Sequence, residues 1–270
     1  MGSGYVYDQA WKRERTRLQG IETMFDAISR EHLLAVGIAP GWRCLEVGGG
    51  AGSVARWMAS AVAPSGSVVA TDIDPRHITD GAPRGGALEV REHDIVSDPL
   101  EHGMYDLVHA RMVLEHIPQR DRALARMIAA LRPGGWLVVE DIDFGGPMVE
   151  ALGRYVADRA LAEIYKRILA GFEKFMSAAG ADLQFGPRLA TAFAAHGLQD
   201  IYAESRSRLI RSHEADFSRL SIEQLREPLI GAGLVTAAEL DTLLAAASDP
   251  EWTAMSIFLV SARGQRPLAG

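Results

Sequence analysis

The stretch Cys44-Leu45-Glu46-Val47-Gly48-Gly49-Gly50-Ala51-Gly52 decides how the chain is read. An apolar run from Trp42 to Val47 enters a glycine-rich turn, and residues 53–62 leave it with helical spacing. A strand that ends in glycines and opens a helix presents bare backbone, because no Cβ shields it from a ligand. The helix N-terminus adds free N–H donors and the positive end of a dipole. Taken alone, the glycines also fit a tight turn with no ligand. Gly50-Ala51-Gly52-Ser53-Val54-Ala55 satisfies G-x-G-x-x-A, the dinucleotide fingerprint, and Asp72 lies at a suitable distance for a ribose contact. Glu46 weighs against a pyrophosphate, since a carboxylate repels that charge and attracts a cation. The glycines also begin at Gly48, which leaves Gly50 late relative to the strand end.

Outward from this turn the pattern repeats. Residues 5–36 read as one helix, with Trp11, Leu18, Ile21, Met24, Phe25, Ile28 and Leu33 at helical spacing, closed by Gly37 and Pro40-Gly41. Short apolar strands are expected at 67–71, 88–91, 105–110 and 136–140, with an amphipathic helix at 120–131 and a turn at Pro133-Gly134-Gly135. Strands alternating with helices, each strand apolar almost throughout, imply a parallel sheet covered on both faces. Further on, 147–180, 188–196 and 221–247 read as helix, and 200–210 and 254–262 as strand. The expected organisation is a helical lid over residues 1–40 and one sheet domain over 41–270, with helical insertions at about 147–180 and 212–250.

The chain has 270 residues, 48% of them hydrophobic, and a net charge of −7 from 28 basic and 35 acidic residues. That balance lacks the electrostatic footprint of a nucleic-acid binder, so no nucleic-acid partner is expected. No apolar run reaches the roughly 18 residues of a membrane span, and Met1 to Gln19 is too polar for a secretory signal. The single Cys44 excludes an internal disulfide and fits a reducing compartment. A cytoplasmic location is the expectation.

Glu46-x-Gly48-x-Gly50-x-Gly52 resembles motif I of the class I S-adenosylmethionine-dependent methyltransferases. Other blocks resemble that family in order and spacing: Val68 to Asp74, Glu92-His93-Asp94-Ile95, Tyr105 to Ala110, and Leu131 to Leu137. The resemblance covers about residues 40–145. It implies an α/β fold, a Rossmann-like, doubly wound, mostly parallel seven-stranded sheet whose last strand, at 254–262, is antiparallel. It implies S-adenosylmethionine as cofactor, S-adenosylhomocysteine as product, and a small-molecule methyl acceptor. One departure stands out, because Gly81, Pro83, Gly85 and Gly86 break the region where the family has a full helix.

The same resemblance suggests roles. Glu46, Gly48, Gly50 and Gly52 would form the cofactor turn, Asp72 would take both ribose hydroxyls, and Asp94 the adenine amine. Ile73 and Ile95 would sandwich the adenine, and His109 would border the methionine moiety. A carboxylate that only caps a helix is the alternative for Asp94, and plain core the alternative for the two isoleucines. Tyr7, Trp11 and Arg15 resemble a lid closing over the cofactor, with Arg15 on its carboxylate; a helix packing its aromatic face on the core is the alternative. His116 is the candidate base or acceptor contact, with a histidine satisfied in a packed turn as its alternative. Asp141 and Asp143, on one strand face, are candidates for a polar acceptor; a third metal ligand is not identifiable, so no metal is expected. The stripe Ile168, Phe172, Phe175 and Met176 suggests an apolar acceptor or a homodimer contact, with helical core as the default. The reading is a methyltransferase acting on a partly apolar metabolite of secondary or quinone-like metabolism. A NAD(P)-dependent oxidoreductase and a methyltransferase-like fold catalysing a cyclisation are its rivals.

Overall fold

The computed structural model describes residues 6–79 and 86–268. In chain order the elements are α1 (Glu14–Ala35), β1 (Arg43–Val47), α2 (Ser53–Val62), β2 (Ser67–Asp72), α3 (Arg76–Thr79), β3 (Leu88–Glu92), β4 (Tyr105–Arg111), α4 (Arg120–Ala130), β5 (Leu131–Asp143), α5 (Gly146–Gly153) and α6 (Arg159–Ala178). They continue as α7 (Leu189–Ala195), β6 (Gln199–Arg206), β7 (Leu209–Arg211), α8 (Asp216–Gln224), α9 (Arg226–Gly231), α10 (Ala237–Ala247), β8 (Thr253–Met255) and β9 (Phe258–Gln265). The main sheet runs β3-β2-β1-β4-β5-β9-β6. The pairs from β3 to β5 are parallel, while β9 lies antiparallel between β5 and β6.

Alternation along the strands explains the layers. Cys44, Val68, Ala70, Leu107 and Val138 point to one face and pack with Val54, Ala55, Met58 and Val62 of α2. Leu45, Val47, Val69, Val108 and Val139 point to the other and pack with α4 and α7 through Leu124, Met127, Leu189 and Phe193. A third apolar cluster joins α1, α5, α6 and α8–α10 to Ile142, Phe144 and Leu259. The chain order reverses between β1 and β4, and the carboxyl ends there form the crevice an open α/β sheet offers to ligands.

Several boundaries differ from the periodicity. The first helix starts at Glu14, and residues 6–13 are turns. The expected 147–180 helix is two, because the Asp158 side chain accepts from Leu161 N at 2.9 Å and caps a fresh start for α6. The expected 221–247 helix is three: Gly233 sits at a φ of +68°, and Thr236 and Glu239 form a capping box that starts α10. The last two expected strands each contribute a short piece, β7 and β8, that pair with one another apart from the main sheet. Pro133-Gly134-Gly135 bulges where the register jumps from Tyr105↔Leu131 to Leu107↔Trp136. Of the residues expected to break the helix after Pro75, Gly81, Pro83 and Gly85 lie outside the described residues.

The lid contact rests on Gly20 of α1. A Cβ there would lie 2.5 Å from Phe217 N and 2.9 Å from Phe217 Cα in α8, so only a bare backbone permits the approach. Gly20→Val should push α1 off α8 and destabilise the fold by about 1–3 kcal/mol, read by denaturant unfolding. Wild-type stability in that variant would contradict the packing.

Candidate active site

The carboxyl ends of β1, β2 and β4, with α1, α6 and α8, enclose a cavity of about 740 Å³. Its floor is the glycine turn. Gly48 N and Gly49 N both donate to Thr71 O, at 2.8 and 3.0 Å, which locks the turn against β2. Gly48 has φ +69°, and a Cβ there would lie 2.4 Å from Val113 Cγ2, so both conformation and space require glycine. Gly50 and Gly52 also have positive φ. Gly50 lines the cavity, whereas Gly52 N-caps α2.

Asp72 lines the cavity at the end of β2. Its carboxylate accepts from Gly50 N at 3.1 Å and Asp74 N at 3.0 Å. Burial raises its pKa, and these donors oppose that rise. Ile73, Asp94 and Ile95 line the same end; Ile73 is 43% exposed and Ile95 buried. Asp94 also serves the local role weighed against it, accepting from Val96 N at 2.8 Å and Ser97 Oγ at 2.9 Å.

Glu46 lines the floor, but His109 does not; it stands behind Glu46 with no exposure. Its Nδ1 lies 2.6 Å from Glu46 Oε2 and its Nε2 3.4 Å from Glu140 Oε2. Burial favours the neutral ring, yet the two carboxylates outweigh it and hold the His109 pKa at about 9. Burial likewise opposes charge on Glu140, but His109, Arg111 and Ser261 keep its pKa at about 2. Ser261 Oγ donates to Glu140 at 2.6 Å, and Ser29 of the lid helix donates to the same carboxylate. Arg111 reaches Ser29 at 2.9 Å and Asp26 at 3.0 Å, and Ser53 Oγ donates to Asp26 at 2.9 Å. One polar network therefore ties the sheet, α2 and the lid together beneath the cavity.

The lid assignments divide. Tyr7 is buried and lines the cavity, its ring 4.0 Å from the Arg17 guanidinium. Trp11 and Arg15 are half-buried and do not line it. The inward stripe of α1 includes Arg17, Leu18 and Ile21, and Arg15 falls on its flank. Arg17 is 2% exposed and held by both oxygens of Glu14 at 2.7 and 2.8 Å. Its position beside Leu18 and one turn before Ile21 on α1 is the sequence signal for it.

At the acceptor end, His116 lines the cavity. Burial, helped by the charge of Arg17, lowers its pKa to about 3, so the ring is neutral near pH 7. Glu115 also lines it, fully buried, with its Oε2 accepting from Ile142 N at 2.8 Å. Burial and the charge of Asp182 raise the Glu115 pKa to about 8 against that hydrogen bond. Asp141 and Asp143 do not line the cavity; Ile142 between them does, because a strand sends alternate side chains to opposite faces. Asp141 is buried behind the turn, accepting from Val113 N at 3.2 Å, and burial with the Glu115 charge raises its pKa. Phe172 lines the cavity with Tyr165, Leu169 and Met176, and packs edge-on to Phe144 at 5.7 Å. Among the described residues, no group of three or more His, Cys, Asp or Glu is arranged to hold a metal ion, and no helix is long and apolar enough to cross a membrane.

The fold and this crevice define a class of nucleoside-cofactor enzymes built on an open α/β sheet. A family model described as a methyltransferase domain matches residues 13–182, more than half of the chain. The chain belongs to that family, whose class I members depend on S-adenosylmethionine. It is 33% identical over 139 residues to methyltransferase str3 of Strobilurus tenacellus, covering 51% of this chain and 47% of that one. It thus spans about half the length of that curated relative. Among solved structures, the Haemonchus contortus phosphoethanolamine N-methyltransferase 2 complex with S-adenosylhomocysteine matches 98% of this chain and 55% of that one, at 16% identity and a TM-score of 0.52. The [4+2]-cyclase SpnF matches 90% of this chain and 82% of that one, at 18% identity and a TM-score of 0.54. These two likenesses establish the fold.

The buried charge cluster makes stability pH-dependent. Unfolded histidine titrates near 6.5, and folded His109 at about 9. The stabilisation is therefore complete below about pH 6.5 and is lost as pH rises through about 9. Glu115, also raised on folding, adds its own decline between about 4.5 and 8. His109→Asn should lower the melting temperature near neutral pH by several degrees and flatten its fall between pH 6.5 and 9. A parallel fall in wild type and variant would show that His109 is not the charged link.

Proposed function

We propose that the chain transfers a methyl group from S-adenosylmethionine to a small, partly apolar acceptor by in-line displacement. The observation that carries this reading is a single cavity with two unlike ends. One end has the glycine turn, Asp72 and Asp94; the other has Tyr165, Leu169, Phe172 and Met176. The residues present fit the cofactor chemically. Its ribose offers two hydroxyl donors, which suit the Asp72 carboxylate, and its cationic groups suit the acidic strand end at Glu46. Arg17 and Arg111, both in the cavity wall, are better placed for its carboxylate than Arg15. When bound, the cofactor supplies an activated methyl group on a sulfonium.

The chain's own part is alignment and exclusion of water. Proximity of this kind supplies about 7–11 kcal/mol of a barrier. Tyr7 and Arg17 close the lid side, and Phe172 with Met176 roofs the acceptor end. His116, neutral at working pH, serves the acceptor as a hydrogen-bonding group rather than as a cation. The Glu46 carboxylate at the turn weighs against a dinucleotide pyrophosphate, the feature an oxidoreductase would need. The cyclase of like fold favours keeping a non-methylating reaction as the second reading, and homocysteine release from the product distinguishes the two.

Asp72→Ala should weaken S-adenosylhomocysteine binding at least about tenfold by calorimetry, the size expected for a lost charge-assisted hydrogen bond. Unchanged affinity would contradict the ribose assignment, and tight NADH binding without S-adenosylhomocysteine binding would overturn the reading. His116→Ala should reduce turnover while leaving cofactor affinity within about twofold. The opposite pattern, measured in the same assays, would make the histidine structural.

A further inference from the structure

We propose that Glu115 is a catalytic residue, whose carboxylate oxygen Oε1 receives the hydroxyl of a neutral, apolar acceptor and takes its proton as the methyl group arrives. This assignment rests on the methyltransferase reading above.

Glu115 is held from two sides. Its Oε2 accepts from Ile142 N at 2.8 Å, and its own carbonyl accepts from Asp182 N at 2.7 Å. Asp141, on β5, returns the contact by accepting from Val113 N at 3.2 Å in the same turn. This reciprocal clasp fixes the Glu115 side chain and uses one of its two oxygens. The other, Oε1, is buried and makes no hydrogen bond to any other described residue. A buried polar atom left without a partner is costly, and such sites favour a ligand that completes the bond. Oε1 stands 3.3 Å from His116 Nε2, in the cavity wall that continues to Leu169, Phe172 and Met176. A ligand with an apolar body and a hydroxyl satisfies both the wall and the orphan oxygen. An anionic acceptor would face the buried carboxyl pair Glu115 and Asp141.

The proton balance favours the same residue. A base must bind the proton it removes, and Glu115 has the higher proton affinity, with a pKa of about 8 against about 3 for His116. The acceptor O–H bond breaks, and the proton passes to ionised Glu115. The electron pair left on oxygen forms the new O–C bond, while the S–C bond breaks with its pair retained on sulfur as a neutral thioether. The groups bearing on Glu115 are Asp141 on β5, Asp182 after α6, Tyr7 of the lid and His116 beside it. Arg120 of α4 bears on Asp141 and Asp182, and Arg17 on His116.

The test uses the full chain, S-adenosylhomocysteine, and 2-naphthol as a neutral bicyclic phenol. In the wild type, 2-naphthol should bind the S-adenosylhomocysteine complex by calorimetry at least about tenfold more tightly than 2-naphthoate. Its methylation rate should rise with pH, reach half its maximum near pH 8 and level off above about pH 9. Glu115→Gln keeps an acceptor for Ile142 N–H but takes no proton. It should retain S-adenosylhomocysteine affinity within about twofold, lose kcat by about 100-fold or more, and lose the rising limb. Asp182→Asn removes a nearby negative charge, so its limb should move to lower pH with the plateau unchanged; this shift decides the matter if Glu115→Gln does not fold. Retained kcat or an unmoved limb would overturn the assignment. So would a wild-type protein that binds S-adenosylhomocysteine but not 2-naphthol. Failure to bind S-adenosylhomocysteine would instead remove the methyltransferase reading beneath it.

Discussion

Two carboxylates, Glu46 and Glu140, lie buried on either side of β4, and a protonated His109 between them makes that arrangement tolerable. A buried charge without a partner costs far more than a surface one, so the three residues stand or fall together. The link does more than neutralise charge. Glu46 lies one residue before the end of the strand that feeds the glycine turn, while Glu140 reaches Ser29 of the lid helix and Ser261 of β9. The sheet, the turn and the lid are thus held in register by one polar chain. The cavity above it inherits its shape from that chain.

The cavity shows how one fold divides labour by dielectric environment. At the nucleoside end, burial raises the pKa of Asp72, and the backbone donors Gly50 N and Asp74 N oppose that rise. At the acceptor end, burial dominates. Glu115 and Asp141 are pushed up, His116 is pushed down, and Tyr7 and Tyr165 are held at about 12. Side chains there favour their uncharged forms near neutral pH, which suits an acceptor with little charge of its own.

The ordered blocks of strand, glycine turn, helix and acid were readable because each is local. Apolar runs specify buried strands, positive-φ glycines specify the turn, and an acid after the second strand falls where the sheet edge must be. The same reasoning misplaced side chains whose direction depends on a helix phase or a strand face. Arg15 is the arginine the lid resemblance points to, whereas the packing of α1 turns Arg17 into the cavity wall. Asp141 and Asp143 were favoured on β5, although Ile142 faces the cavity. His109 was placed beside the ligand, and it stands one layer behind. Its partners, Glu46 and Glu140, are 63 and 31 residues away in the chain.

What the amino-acid order determined by itself is the alternation of elements, and with it a parallel sheet whose carboxyl edge carries bare backbone and acids. Periodicity and turn chemistry are short-range properties, so they survive without knowledge of the third dimension. What only the tertiary structure decided is which polar groups share a dielectric. The Glu115–Asp141 clasp joins a turn after β4 to the end of β5, and the Glu46–His109–Glu140 link spans three strands. Protonation depends on desolvation and on neighbours a few ångströms away, and those neighbours are set by packing rather than by position along the chain.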